Sequence, residues 1–537
     1  MPLIDPTQVF IKTELATRIA ANYEHTHQKK TLCAEDTRVE LLADIEKWLS
    51  PQPPNANVER IFWVTGIPGS GKSTLSATIV DNLRKKHTPV SAQFFISRNF
   101  RETVDPDKII PTLAQQLAVS SPTVARVLEK TLKYGYPPKR KEQVASLLLA
   151  PIRELSKSCD VVVILIDALD ELNDAANSVM EILSHIAPTN CDLPKNVRFV
   201  ITSRPERWVD ISEAKNLKRA VFKQHSLATE SSVAEVHRFI VAEMKKITPN
   251  KPGWHDWPDP GQLKKLSDKA SGLFHYAATA LRWIEEQIRK HGNACRSRVF
   301  DQIDQIGIGQ LNTLYELVLT SWEKEIVDDP AVDPQIQLDG FKHVIGAILA
   351  LEKPLTIDRI IALLSDIPNE FDVDNFLQQM RSVLIPGTTT SFYDATPQMH
   401  KSFRDYIMSE RAPHQFRILA SVAHFKIARS CLEIIVKPEN QRGIGCEYGV
   451  THWYGHLEKA VEEGASCDDE RMWRLLGNMV NEGVVDAWTG QADLVEIFVS
   501  VATTGWQLLK VRQKHGERHL SDCFYGSKIR NIVSWYR

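Results

Sequence analysis

The sequence has no run of about 18 or more apolar residues, the length that a membrane-spanning helix needs. Charged residues (Asp5, Lys12 and Glu14) interrupt the apolar positions of the N-terminus, so a secretory signal peptide is not expected. Neither sign of charge predominates, because the formal net charge is only −2. A near-neutral chain has no global basic field to attract nucleic acid or anionic lipid, and we expect neither as a partner.

Cysteine is scarce and scattered, with eight residues and no CxxC pair among 537 positions. Paired or clustered cysteines are what a disulfide framework or a zinc site requires. The pattern therefore predicts reduced thiols in a cytoplasmic protein. His452 and His456 are four residues apart, but the segment between them lacks the glutamate of a metalloprotease helix. We expect a packed helix face there rather than a metal site.

What the chain does contain is an alternation of short apolar runs and helical patterns after the proline-rich segment 50–55. The apolar runs are 61–65, 90–96, 161–166, 197–202 and 220–222. Runs that are apolar throughout are typical of strands buried on both faces, as in a parallel sheet covered by helices. The first half is therefore predicted to be an α/β domain with a five-stranded parallel sheet at its core.

The pattern changes near residue 230, beyond which long amphipathic segments dominate. A hairpin is expected where residues 382–385 and 391–393 flank a Pro-Gly-Thr turn. No repeat of about 20–50 residues recurs, so a solenoid or a propeller is not expected. The second half is predicted to be mainly helical, with one small hairpin.

A glycine-rich loop follows the first predicted strand, where residues 66–73 read GIPGSGKS and fit the pattern GxxxxGK followed by Ser or Thr. A helical pattern comes next, which is the strand–loop–helix setting of a P-loop. Glycines let backbone N–H groups curl around phosphate oxygens, and a helix N-terminus adds positive charge. We therefore predict a nucleoside triphosphate site with Mg²⁺, formed by Gly66, Ile67, Pro68, Gly69, Ser70, Gly71, Lys72, Ser73 and Thr74.

Three side chains are predicted to meet the phosphates and the metal. Lys72 should reach the β- and γ-phosphates, and the Ser73 hydroxyl should bind Mg²⁺. Asp167 ends the apolar run 161–166, where a Walker B carboxylate holds the same metal directly or through water. The simpler alternatives are a glycine turn before a surface helix and an acidic turn after a buried strand. Finding both motifs in one chain favours the nucleotide site.

Further polar residues follow two of the predicted strands at their carboxyl ends, where open α/β sheets bind ligands. Asp170 and Glu171 come shortly after Asp167, and either could orient or deprotonate an attacking water. Arg204 follows the run 197–202, and we expect it to touch a γ-phosphate unless it is simply a surface arginine. These three residues are the predicted catalytic groups of an NTPase.

These motifs, in their order along the chain, resemble the NACHT domains of the STAND class of P-loop NTPases. Residues 165–171 read LIDALDE, which is similar to the Walker B motif of NACHT proteins. Other segments resemble the fungal-type and nephrocystin-like members of that group, namely 61–64, 92–98, 271–280, 399–406 and 447–457. The resemblance extends over about residues 30–460.

The resemblance implies an order of domains: an N-terminal helical segment with its linker, a NACHT domain, a helical domain, a winged helix and a second helical domain. With the pattern breaks, we expect them at 1–55, 56–228, 229–330, 331–412 and 413–537. In related receptors a winged-helix histidine contacts the β-phosphate of ADP, and the resemblance gives this role to His400. It also implies that residues 36–38 help to enclose the base, although Asp36 replaces the family's glycine.

The resemblance further implies a molecular switch in signalling, of the kind found in innate immunity. ADP or GDP would hold the resting state, and exchange for ATP or GTP with Mg²⁺ would open the domains and favour self-association. Slow hydrolysis would reset the switch, and the protein partner is unknown. The alternatives are a scaffold that binds nucleotide without hydrolysing it, a P-loop kinase and a nucleic-acid translocase. The acids close behind Asp167 argue against the kinase, and the near-neutral charge argues against the translocase.

Overall fold

The computed structural model describes residues 5–51, 59–86, 90–174, 193–205, 222–227, 230–250, 254–364, 370–385, 396–436 and 446–465, with isolated positions between 177 and 186 and at 367–368, 471–472 and 474–475. The chain divides into two compact units. Unit 1 comprises Met1–Val318 and Arg381–Val383, and unit 2 comprises Leu319–Met380 and Leu384–Arg537.

A five-stranded sheet lies at the centre of unit 1. Its strands are β1 (Ile61–Thr65), β2 (Ala92–Phe95), β3 (Val162–Asp167), β4 (Val197–Ser203) and β5 (Phe222–Ser226). All neighbours are parallel and the order is β2–β3–β4–β1–β5. The predicted α/β fold with a five-stranded parallel sheet is therefore confirmed. The fifth predicted run meets β5 only at residue 222, since residues 220–221 lie outside the described residues.

Helices cover both faces of this sheet, which explains why the inner strands β1 and β3 are almost entirely apolar, whereas the edge strand β5 reads FKQHS and is mostly polar. They are α1 (Pro6–Leu15), α2 (Val39–Leu49), α3 (Lys72–Lys85), α4 (Ile109–Ser120), α5 (Pro122–Leu132), α6 (Arg140–Gln143) and α7 (Ala150–Leu155), the last two joined by the π-helical segment Val144–Leu149. Ile61 and Trp63 of β1 join the core formed with α1, α4, α5 and α7. Phe62 and Val64 join the core on the opposite face, formed with α2 and α3.

The remainder of unit 1 is helical, in agreement with the pattern change near residue 230. Its helices are α8 (Glu230–Ile247), α9 (Pro260–Ala270), α10 (Phe274–His291), α11 (Val299–Asp304) and the first part of α12 (Leu311–Asp328). An Asp259–Gln262 capping box starts α9. Ser271 and Gly272 take left-handed φ values of 46° and 78°, which end α9 and redirect the chain into α10.

Unit 2 is also mainly helical. Beyond the second part of α12 it contains α13 (Pro334–Ala350), α14 (Ile357–Leu363), α15 (Val373–Gln379), α16 (Lys401–Met408), α17 (Ala420–Val436) and α18 (Cys446–Glu462). An aromatic cluster holds its first part together, because the Trp322 ring lies 5.6 Å from the rings of Phe341 and Phe376 and 6.3 Å from that of Phe416. Among the described residues, no helix combines the length and the apolarity that a membrane crossing requires.

The small sheet of unit 2 differs in detail from the predicted hairpin. Strand β6 (Leu384–Ile385) pairs antiparallel with β7 (Gln398–Met399), a few residues beyond the predicted partner. The predicted second strand at 391–393 and its turn lie outside the described residues. The winged helix and the five domain boundaries therefore stay predictions, as does any helix in residues 476–537.

The histidine pair on α18 has the contacts of a packed helix. His456 is fully buried, with its Nδ1 2.8 Å from Nδ1 of His424 and its Nε2 2.8 Å from the hydroxyl of Tyr448. The His452 ring packs against Tyr448 at 4.5 Å between centroids. Within the described ranges, no group of three or more potential metal ligands comes together.

Candidate functional site

The glycine-rich loop connects β1 to α3 at the carboxyl edge of the sheet. Gly69 and Gly71 have φ values of +80° and +91°, which residues with a side chain rarely adopt. A Cβ atom on Gly69 would also lie only 2.7 Å from the Cβ of His275. Helix α3 begins at Lys72 without a side-chain cap, so its first N–H groups are available to an anion. The loop thus has the conformation and the polarity of a phosphate cradle.

The ammonium group of Lys72 lies against this loop. It donates to the carbonyl of Gly66 at 2.6 Å and to that of Ile67 at 3.2 Å. Burial lowers the pKa of Lys72, while the nearby carboxylates of Asp170 and Asp167 act in the opposite direction. Ser73 and Thr74 follow in the first turn of α3, and both are partly exposed. The structure therefore brings the P-loop lysine and the acids after β3 to one edge of the sheet.

The carboxylate of Asp167 is fully buried at the end of β3. Its Oδ1 accepts hydrogen bonds from Ser76 Oγ at 2.8 Å and from Thr202 Oγ1 at 2.6 Å. Its Oδ2 has no hydrogen-bond partner among the described residues. A buried carboxylate oxygen without a partner is unfavourable unless a cation or a water satisfies it. Because Mg²⁺ prefers oxygen ligands, Asp167 and the Ser73 hydroxyl fit the predicted metal.

Sequence reasoning missed Ser76 and Thr202, the two residues that orient this carboxylate. Ser76 follows Ser73 at the i, i+3 spacing that aligns side chains on one helix face, and this spacing was the available signal. Thr202 is brought beside Asp167 by the pairing of β3 with β4, in which Ile166 lies opposite Ile201. That placement depends on the strand order, which the sequence pattern does not contain.

The three predicted catalytic residues all have protein partners at this edge. Asp170 is largely buried, and its carboxylate accepts from the backbone N–H of Arg204 at 3.0 Å and pairs with its Nε at 3.2 Å. Glu171 stands apart from that ion pair, and its Oε2 accepts from the backbone N–H of Arg98 at 3.1 Å. The left-handed conformation of Ala168, with φ 63°, starts the short helical turn that carries both acids. Asp170 is therefore engaged in holding Arg204 at the end of β4.

Two residues from distant elements hold the loop from outside. Nη2 of Arg38, the residue before α2, donates to the carbonyl of Ser70 at 2.9 Å. The backbone N–H of His275, in the first turn of α10, donates to the carbonyl of Gly69 at 3.0 Å. Asp36 has φ 59°, a left-handed conformation, at the position where the family has glycine. The suggested contact of residues 36–38 with the base stays a prediction.

His400 lies in unit 2, immediately before α16. Its Nδ1 is 2.6 Å from the hydroxyl of Ser402 and accepts from the backbone N–H of that residue at 3.2 Å, so the imidazole caps the helix. Helix capping alone gives this histidine a structural role. Its predicted contact with the β-phosphate stays a prediction.

Comparison with known proteins gives a match to one family model and to one curated relative. Residues 39–204 match the family model described as Nephrocystin 3, N-terminal. The vegetative incompatibility protein HET-E-1 of Podospora anserina is 22% identical over 402 residues, which are 71% of this chain and 27% of that protein. The chain thus spans about a quarter of the length of the curated relative that it matches.

Two solved structures are similar at low identity. The Signal Transduction ATPase with Numerous Domains (STAND) protein with a tetratricopeptide repeat sensor from Pyrococcus horikoshii is 14% identical, with a TM-score of 0.44, and the match covers 94% of this chain and 59% of that one. The Walker-type ATPase of Pyrococcus abyssi is 10% identical, with a TM-score of 0.33, over 69% and 95% of the two chains. The fold is established by the parallel sheet and the glycine-rich loop described above.

The family model ends at the arginine that pairs with Asp170, and it includes the whole glycine-rich loop and the buried Asp167. These matches confirm the resemblance drawn from the sequence: residues 39–204 match a nephrocystin-type N-terminal family model, in agreement with the resemblance to NACHT/STAND P-loop NTPases of the nephrocystin-like group.

Proposed function

We propose that this chain is a switch that binds a nucleoside triphosphate with Mg²⁺ and changes its assembly with the state of that nucleotide. One observation supports it above the others: Asp167 Oδ2, which has no hydrogen-bond partner in the described part of the chain, lies at the same sheet edge as Lys72 and the start of α3, which no described side chain caps. The N–H groups of residues 66–74 and the Lys72 ammonium would hold the phosphates. Ser73 and Asp167 would hold the metal.

The residues beside the proposed phosphate site support hydrolysis with water as the acceptor. Mg²⁺, once bound, would supply positive charge against the β- and γ-phosphate oxygens. Two hydroxyl donors fix the orientation of Asp167, which leaves its other oxygen for the metal. Asp170 keeps Arg204 at the end of β4, where the guanidinium would meet a γ-phosphate. Because Asp170 is ion-paired, we assign the orientation of the attacking water to Glu171.

A second candidate is a scaffold that holds nucleotide without hydrolysing it. The hydrogen bond from the Arg98 N–H to Glu171 favours this alternative, because it occupies one oxygen of the carboxylate that would act on water. Phosphate release by the wild type and by Glu171→Gln separates the two candidates, with the exposed Glu142→Gln as the matched control. Turnover that Glu171→Gln abolishes and Glu142→Gln retains would exclude the scaffold. No turnover in the wild type would support it.

For the switch itself, the nucleotide must bind the two states with different affinity. Moving an equilibrium from about 1:99 to 99:1 requires about 5.5 kcal/mol of differential binding. We assign this difference to the γ-phosphate with Mg²⁺ and Arg204 in the open state, and to His400 on ADP or GDP in the resting state. The fungal relative is named as a vegetative incompatibility protein, which is in keeping with a signalling output in the cytoplasm through a protein partner.

Particle size in solution tests the switch. Light scattering would compare the protein with ADP and with a non-hydrolysable ATP analogue, each with Mg²⁺. We expect larger particles with the triphosphate for the wild type and no such increase for Lys72→Ala. The same two measurements with guanine nucleotides decide which base is preferred. Equal particle size in the di- and triphosphate states of both bases would contradict nucleotide-driven self-association.

A further inference from the structure

Arg38 connects the P-loop to helix α8, and neither motif nor family resemblance assigns it that role. The side chain is almost completely buried, with 4% exposure. Its Nη2 donates to the Ser70 carbonyl at 2.9 Å, while its Nη1 donates to Ser232 Oγ at 2.8 Å and pairs with Glu235 Oε2 at 3.3 Å. Its backbone N–H donates to Glu235 Oε1 at 2.9 Å. One guanidinium therefore spans the loop and the first turns of α8.

The contact with the Ser70 carbonyl determines the direction of a phosphate-binding group. In a trans peptide the C=O and the following N–H point in opposite directions. Holding the Ser70 carbonyl on the outside of the loop therefore directs the Gly71 N–H inward, toward the phosphates. Gly71, at φ +91°, has no side chain to restrict this peptide, so an external contact has to fix it.

The chemistry of the contact requires arginine. A planar guanidinium presents its N–H donors from three nitrogens at fixed angles, so Nη2 can bind the Ser70 carbonyl while Nη1 binds Ser232 and Glu235. A lysine presents its three donors from a single nitrogen and cannot span these separated acceptors. Burial lowers the pKa of Arg38 and the charge of Glu235 opposes this effect. A buried cation of this kind is tolerated because it has a charged partner and hydrogen bonds. Loss of the Glu235 contact would loosen the α8 end of this connection, and loss of the Ser70 contact would loosen its P-loop end.

We propose that Arg38 is a positioning residue that couples phosphate binding in the loop to the stability of α8. The proposal rests on the nucleotide binding proposed above. When phosphate fixes the Gly71 N–H, the Ser70 carbonyl is fixed with it, and so are Arg38 and the first turns of α8. By linkage, anything that displaces α8 weakens phosphate binding to the same extent. The stability of α8 thus depends on whether the loop has bound phosphate.

Hydrogen exchange with the full chain, with and without saturating Mg·ADP, tests this coupling. In the wild type we expect ADP to slow amide exchange both in residues 66–75 and in α8. In Arg38→Gln the loop should remain protected by saturating ADP, the protection of α8 should be lost, and ADP affinity should fall by about tenfold. Arg38→Lys should fail to restore the response of α8. Arg84→Gln, an exposed site on α3, is the matched control and should behave as wild type.

The outcomes separate this proposal from the proposed function. No protection of residues 66–75 in the wild type would overturn nucleotide binding itself. Suppose that ADP protects the loop in the wild type and in all variants, and that it protects α8 equally in Arg38→Gln and in the wild type. This result would overturn the role of Arg38 and leave nucleotide binding in place. Should Arg38→Gln fail to fold, the double variant Ser232→Ala/Glu235→Gln replaces it, because it keeps the Ser70 contact and removes the hydroxyl and the charge that hold Nη1 to α8. That variant should bind ADP within about threefold of wild type and lose the response of α8. A retained response of α8 in this double variant would overturn the proposal.

Discussion

A Thr202→Val substitution removes one hydroxyl group and leaves the shape of the side chain nearly unchanged. The hydroxyl accepts from the Ala168 N–H at 2.8 Å and donates to Asp167 Oδ1 at 2.6 Å. Thr202 is fully buried, so water does not readily replace either bond. A hydrogen bond to a charged group contributes about 1.5–3 kcal/mol, and an unpaired buried N–H costs about 1–3 kcal/mol. Because both losses share one site, we expect a destabilisation of about 2–4 kcal/mol.

The same substitution should weaken the metal site. Without Thr202, Ser76 Oγ, at 2.8 Å, is the remaining side-chain donor to Oδ1 of Asp167 among the described residues. Groups that orient a metal ligand typically contribute about 10–100-fold in metal affinity. We therefore expect the Mg²⁺ concentration for half-maximal nucleotide binding to rise by about tenfold or more. The assay is a Mg²⁺ titration at fixed concentration of a fluorescent nucleotide analogue.

Thr112 provides the matched control for this prediction. It is also fully buried, accepts from the Ala20 N–H at 2.9 Å and donates to the Lys108 carbonyl at 2.6 Å. Thr112→Val should therefore lose stability through the same kind of bonds and leave the Mg²⁺ midpoint unchanged. The same Mg²⁺ midpoint in Thr202→Val and Thr112→Val would refute the role given to Thr202.

Three further outcomes are expected at the same site. Burial lowers the pKa of Lys72 below its usual 10.5, and bound phosphate would raise that pKa again. Nucleotide binding should therefore take up protons and should weaken as the pH rises toward 10.5. Calorimetry in two buffers of different ionisation enthalpy measures the proton uptake, and zero uptake would count against a change in the Lys72 pKa on binding. Gly69→Ala should weaken nucleotide binding by about tenfold or more through strain and a clash with His275. Gly135→Ala, with φ +95° and no atom of a described residue within 4 Å of its new Cβ, should leave binding unchanged. Asp170→Asn and Arg204→Ala should each lower turnover, and the double variant should lose less than the sum of the two single losses in activation free energy. Additive losses would argue against a joint role of the two residues.

The parts of the fold that could be predicted have signals within a few residues. Strands β1, β3 and β4 are short apolar runs, and burial on both faces of a parallel sheet is the physical reason for that composition. The glycine-rich loop is similarly local, because φ values near +80° and +91° require glycine at Gly69 and Gly71. Asp167 could be predicted from its position directly after an apolar run.

The parts that could not be predicted depend on contacts between distant segments. Thr202 lies beside Asp167 only because β4 separates β3 from β1, and the apolar runs do not encode that order. Arg38, immediately before α2, and His275 of α10 reach the loop, and neither belongs to the loop motif. The partner of β6 lies beyond the predicted strand, since turn residues indicate a hairpin more reliably than they fix its length.

The central claim is that this loop binds a nucleotide with Mg²⁺ through Lys72. The most direct test is the affinity of the wild type, Lys72→Ala and Lys85→Ala for ADP and for a non-hydrolysable ATP analogue, measured by calorimetry with Mg²⁺. Lys85 is the matched control, because it lies on the same helix with a side chain that is 70% exposed. We expect binding by the wild type and Lys85→Ala, and a loss of about tenfold or more in Lys72→Ala. No binding by the wild type, or equal affinity in Lys72→Ala, would contradict the assignment of the site.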